Sequence, residues 1–150
     1  MVFGLGRRKR IFGIGLDGFP HSLALRLMDE GVMPHLKGLA GSGTFKRIHS
    51  VYPTVSNVAW ASFMTGVSPG EFGVFGFTEL KPDFDLVIPN ATHLKAPTIW
   101  QRLSDKGRPF VSLSVPMTYP APPVKGVLVS GFLAPSTRPD ERAVSNPDIL

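Results

Sequence analysis

Short apolar runs and stretches with helical spacing alternate along the first half of the chain. Ile11 to Leu16 is an apolar run closed by Asp17-Gly18, which predicts a buried parallel strand. Pro20 opens a helix whose apolar positions are Leu23, Leu25, Leu27 and Met28, with Asp29-Glu30-Gly31 after it. Pro34 starts another short helix, His35 to Ala40, ended by Gly41 and Gly43. Thr44 to Ile48 reads as a second strand, with Phe45 and Ile48 as its apolar members.

The stretch around which the chain is organised follows. Tyr52-Pro53 makes a turn, Val55 suits an extended approach, and Thr54, Ser56 and Asn57 are all suited to cap a helix. From Asn57 to Thr65 the apolar residues Val58, Ala59, Trp60, Ala61, Phe63 and Met64 leave almost no polar face. That pattern predicts a short buried helix, stopped by Gly66 and Pro69. A helix start carries unpaired N–H groups and about half a positive charge, so it suits a phosphate or an oxyanion. A serine there is ordinarily a cap, and a nucleophile is the sharper alternative for Ser56.

Residues 66 to 97 have little periodicity and are rich in Gly, Pro and Phe. They read as a long loop with one short strand at Leu86 to Ile88. Thr98 to Leu103 reads as a helix, Pro109 to Val115 and Val124 to Ser130 as strands, and Met117 to Pro123 as a proline-rich turn. Helices interleaved with apolar strands predict an α/β fold, a layered α/β/α arrangement around a mostly parallel sheet. Ligands in such sheets bind where strands end and helices begin, and Asp17 and Ser56 both fall at such points. The last strand would be central in the sheet, so the chain reads as truncated at its C-terminus.

Composition narrows the chemistry. With 150 residues and 43% of them hydrophobic, the chain can bury a core. It has no cysteine, which removes disulfides, thiolate catalysis and Cys-based metal sites and is compatible with the cytoplasmic location we expect. The formal charge is +5, but Arg7-Arg8-Lys9-Arg10 supplies four of those charges, leaving +1 for the rest. Residues 1–10 therefore read as a solvated basic leader to a domain spanning 11–150, with no specific nucleic-acid partner. No apolar run reaches the roughly 18 residues of a membrane span.

Gly13-Ile14-Gly15-Leu16-Asp17-Gly18 spells a dinucleotide-binding motif, but its glycines fall inside the strand, and the second strand ends without an acid. Asp17 has another use. A carboxylate at a strand's end, together with a hydroxyl at a helix start, offers two hard oxygen ligands to a divalent cation. Its ordinary alternative is a cap on the next helix. His21, His35, His49 and His93 form no H-x-x-x-H or D-H pair and read as solvated or helix-end residues.

Four blocks together resemble the type I phosphodiesterase/nucleotide pyrophosphatase family of the alkaline phosphatase superfamily. Ile11 to Gly18 resembles its opening metal-ligand strand, and Gly31-Val32-Met33-Pro34-His35-Leu36-Lys37-Gly38-Leu39 its "G-x-x-P-x-L-x-x-L" helix. Tyr52 to Gly70 resembles the nucleophile segment, which ends in "T-G-x-x-P", here Thr65 to Pro69. Val115 to Pro120 and Val129 to Phe132 are similar to later blocks of bacterial and archaeal members. The likeness runs over about residues 11 to 137.

The resemblance implies an alkaline-phosphatase-like domain that hydrolyses small phosphate esters through a phosphoenzyme. The nucleophile position falls on Ser56. Asp17 would be a metal ligand, the Ser56 oxygen would touch the metals, and the Asn57 backbone N–H would bind a substrate phosphate oxygen. Two divalent metal ions are implied, zinc first, with manganese or magnesium as alternatives. Their remaining ligands lie further downstream in the family, so residues 1–150 alone are expected to be inactive or nearly so. Two positions depart from the pattern: Phe72 stands where many members have histidine, and Phe77 where the nucleotide pyrophosphatases have asparagine. The reading from another class is a non-catalytic α/β module that binds an anion or a partner.

Overall fold

In the computed structural model, Pro20 is the residue before the first helix, α1 (His21–Asp29), and its carbonyl accepts the N–H groups of Leu23 and Ala24. The structure describes residues 10–132, 134, 140–146 and 148. The basic run at 7–9 and the closing residues 149–150 lie outside them, as do residues 135–137 of the family likeness. The chain divides into two compact units, Met1–Ile48 and His49–Leu150.

In the first unit, α1 buries Ala24 and Met28, one turn apart, and half-buries Leu23 and Leu27 beside them. Leu25 lies outside that stripe and is exposed. The helix closes in a Schellman motif: Gly31 at φ 75° donates to the Met28 carbonyl, and Val32 N–H donates to that of Leu27 at 2.9 Å. Only glycine takes that backbone conformation without strain. Pro34 then begins α2 (Pro34–Ser42) at a position where its missing N–H costs nothing. The two helices pack together, and His21 stacks on Phe45 at 4.8 Å between ring centroids.

Both strands expected in this unit fail to form. Ile11 to Leu16 and Thr44 to Ile48 carry no ladder, and Ile11, Phe12 and Ile14 are 95, 86 and 88% exposed. An apolar run becomes a parallel strand only when neighbours take its backbone groups and cover both its faces. Among the described residues these segments have neither.

In the second unit the core is built on α3 (Ser56–Thr65). Val58, Ala61 and Met64 are fully or almost fully buried, on helical i, i+3 spacing, and pack with Phe72, Val74 and Met117. Gly66, at φ 72°, ends the helix. A one-turn helix α4 (Pro69–Phe72) follows where the sequence predicts loop. Its start is a capping box in which Ser68 N–H and Oγ both donate to Glu71 Oε1, at 3.2 and 3.1 Å. The S-x-x-E signature was legible at Ser68-Pro69-Gly70-Glu71 beneath the glycine and proline content.

A small antiparallel hairpin, β1 (Glu79–Leu80) and β2 (Leu86–Val87), comes next. Helix α5 (Ile99–Asp105) starts from Thr98, whose Oγ1 accepts the Gln101 N–H while Gln101 Oε1 accepts the Thr98 N–H at 2.7 Å. Thr98 is buried, so Thr98→Ala removes a cap that water does not replace. The expected cost is about 1 kcal/mol, read as a lower urea midpoint at unchanged m-value.

The expected C-terminal strands do form and run parallel. Strand β3 (Val111–Val115) pairs with β4 (Val127–Ser130), with Val111 opposite Val127 and a register shift between Leu113 and Val115. Alternation along β3 runs against the apolar expectation: Ser112 is turned inward, while Val111 and Leu113 are 67 and 63% exposed. The fold is thus mixed α/β, with a two-stranded parallel pair and a two-stranded antiparallel hairpin among the described residues.

The segment 140–146 is tied down by polar contacts. Tyr119 OH donates to Asp140 Oδ2 at 3.0 Å, and Arg142 grips both Asp140 oxygens from Nε and Nη2 at 3.2 and 3.1 Å. Arg142's side-chain and backbone N–H donors hold the Asp140 carboxyl down at about 2. A carboxyl whose folded pKa is lowered adds stability above its unfolded pKa and loses it as pH falls. Acid titration is therefore expected to weaken this unit between about pH 4 and about pH 2. Asp140→Asn is expected to lower stability at neutral pH and to flatten that limb of the pH–stability curve.

Candidate active site

Val55, the N-cap of α3, has an extended backbone (φ −115°, ψ 146°) and no side-chain oxygen to offer. Its side chain is instead packed against the core cluster. Of the three expected caps, none occupies the cap position: Thr54 precedes it, and Ser56 and Asn57 are the first two residues of the helix. The first-turn N–H groups have no acceptor earlier in the helix, and an apolar N-cap supplies none. A bound anion is the kind of partner that satisfies such donors and gains from the helix dipole.

Ser56 is half-buried at this helix start, as the first residue of α3. Asn57 is completely buried, and its Nδ2 donates to the Gly76 carbonyl at 3.4 Å, nineteen residues on. Asn57 Oδ1 is buried without a hydrogen-bond partner among the described residues. The side chain therefore faces the protein, and the backbone N–H is the part of Asn57 suited to an anion.

The segment beyond α3 is held rigidly. Thr65 Oγ1 donates to the Ala61 carbonyl at 2.7 Å inside the helix, and Gly66 supplies the left-handed stop. Thr65-Gly66 followed by Pro69 is thus a helix ending that feeds directly into the next capping box. Phe72 and Val74 are fully buried, whereas Phe75 and Phe77 are 54 and 38% exposed. Gly73, at φ 80°, turns the chain between the two buried residues, with the Lys95 side chain close over it.

Asp17 lies in the exposed turn ending at Gly18, in the first unit, whereas Ser56 and Asn57 adjoin in the second. Pro20, and not Asp17, is the N-cap residue of α1. Among the described residues no group of three or more His, Cys, Asp or Glu side chains could hold a metal ion. Asp17 and Ser56 bring one carboxylate and one hydroxyl, too few oxygen donors for a two-metal centre. The residues described here therefore do not fit such a centre by themselves. His93 caps its own 3₁₀ turn, with Nδ1 accepting the Asn90 N–H at 3.1 Å.

A family model described as type I phosphodiesterase / nucleotide pyrophosphatase matches residues 11–146. No curated protein and no solved structure matches the chain. Among the described residues no helix is long and apolar enough to cross a membrane.

Proposed function

We propose, for a chain that belongs to the type I phosphodiesterase / nucleotide pyrophosphatase family, that Ser56 is the nucleophile of a phosphate-ester hydrolase. Membership itself supports phosphate-ester hydrolysis as the class of reaction. The choice of Ser56 rests on one observation above the others: a half-buried serine opens a ten-residue helix whose N-cap, Val55, has no side-chain acceptor for the first-turn donors.

The chemistry has two steps. Ser56 Oγ forms a bond to phosphorus while the bond to the ester's alcohol breaks. The Oγ proton passes to a base, and the departing alkoxide takes up a proton. Water then attacks the phosphoserine, breaks the Oγ–P bond, and returns Ser56 with release of phosphate or a phosphomonoester. The Asn57 N–H and the dipole of α3 stabilise the phosphoryl oxygens on which charge builds.

The reading includes dependence on divalent metal ions, zinc first. The family's usual metal dependence supports this, and the ligands beyond Asp17 and Ser56 would come from outside the described residues. Small phosphate esters are the proposed substrates.

Stereochemistry tests the two-step scheme. Two in-line displacements leave the configuration at phosphorus unchanged, whereas direct attack by water inverts it. Hydrolysis of a chiral phosphorothioate diester in oxygen-18 water, by the whole product of the reading frame, is expected to proceed with net retention. Inversion would remove the serine intermediate, and phosphate binding without turnover would favour the binding-module reading.

A further inference from the structure

The Asn57 side chain spends its amide on the loop that follows α4. That loop has a two-part pattern: Phe72 and Val74 are sunk in the core with Val58, Ala61 and Met64, while Phe75 and Phe77 are 54 and 38% exposed. Gly76, between the two exposed rings, is the residue whose carbonyl meets Asn57 Nδ2. Ser56 and Phe77 are therefore each one residue away from the same hydrogen bond. At 3.4 Å the bond is long, so the complete burial of Asn57 fixes the amide as much as the bond does.

A partly exposed ring beside a phosphoryl site offers apolar area that the organic group of an ester can cover. Here the rings flank a backbone pinned on both sides, by the buried pair before it and by Asn57 beneath it. We propose that Asn57 is a positioning residue holding the Gly76 carbonyl, and that Phe77 so held forms the wall receiving the organic group of the ester. The class of substrate it fits has a planar, apolar leaving group, an aryl ester rather than a short alkyl one. This rests on Ser56 being the phosphoryl site.

Phosphonates test the inference without turnover, because their carbon–phosphorus bond is not hydrolysed. Titration calorimetry of the whole product of the reading frame, supplied with zinc, with phenylphosphonate and methylphosphonate reads the wall directly. The phenyl compound is expected to bind about tenfold tighter, the scale of one aromatic contact. Phe77→Ala is expected to erase that ratio by weakening the phenyl compound. Asn57→Ala is expected to reduce the ratio too, and the double variant to do no more than Phe77→Ala alone, since the amide acts through the ring.

Equal affinity of the unaltered protein for both phosphonates would overturn the wall and leave the Ser56 reading standing. Additive effects of the two substitutions on the ratio would overturn the positioning role of Asn57. Binding of neither phosphonate would remove the phosphoryl site, and with it both readings.

Discussion

Replacing Ser56 with alanine is expected to lower phosphate-ester hydrolysis by roughly 10³-fold or more, in the whole product of the reading frame. The size follows from what is lost. Alanine keeps the helix start, because Ser56 is not the N-cap and Val55 has no side-chain oxygen to lose. Alanine is also the best helix former, so the helix itself is not weakened. The first-turn N–H groups that would hold the phosphoryl oxygens also remain. The substitution removes the atom that would bond to phosphorus. Substrate binding should therefore persist while turnover fails, seen as a kcat loss with little change in KM. A loss of activity that came with a lower melting temperature would instead mark Ser56 as structural.

The largest effect on stability is expected at Phe72. It is fully buried, among the largest such side chains, and packs against Val58, Ala61, Met64 and Val74. Phe72→Ala is expected to cost roughly 3–5 kcal/mol, from lost transfer energy and the void left behind. Against a total of roughly 5–15 kcal/mol for an ordinary domain, that brings the second unit close to unfolding. Phe72→Leu keeps most of the volume and should recover more than half of the loss. Phe72→His, which restores the residue many family members carry, is expected to destabilise too. It places a polar ring among the apolar side chains of Val58, Ala61, Met64 and Val74. Urea unfolding of the three variants gives the order directly: leucine mildest, alanine and histidine severe.

Local chemistry explains why some of this molecule was legible in its sequence. Proline at the first position of α2, Gly31 after α1, Gly66 after α3 and the Thr98–Gln101 box at α5 are short-range signals that act within one turn. The apolar character of residues 57–65 marked a helix correctly, but only its Val58–Ala61–Met64 face is sunk in the core and Phe63 is 62% exposed. Helix α4 carried an equally local signal in Ser68 and Glu71, but the surrounding glycines and phenylalanines drew attention away from it.

Strands depend on distant partners, and there the sequence misled. Val111 to Val115 and Val127 to Ser130 found each other, whereas Ile11 to Leu16, just as apolar, remains exposed. Nothing in the run itself distinguishes the two outcomes. The Asn57 contact with Gly76 belongs to the same class, since a buried amide reaching nineteen residues along the chain has no local signature. The Tyr119–Asp140–Arg142 cluster was likewise invisible, because its first and second members are twenty-one residues apart.

The measurement that bears most directly on the central claim is to catch the intermediate. The protein is mixed with a phosphate ester, quenched in acid within one turnover, digested, and its peptides weighed. The account predicts a single phosphoryl adduct on the peptide carrying Ser56, absent from Ser56→Ala and lost on a slower quench. Hydrolysis that proceeds with the adduct on another residue, or with the Ser56 peptide unmodified throughout turnover, would contradict it.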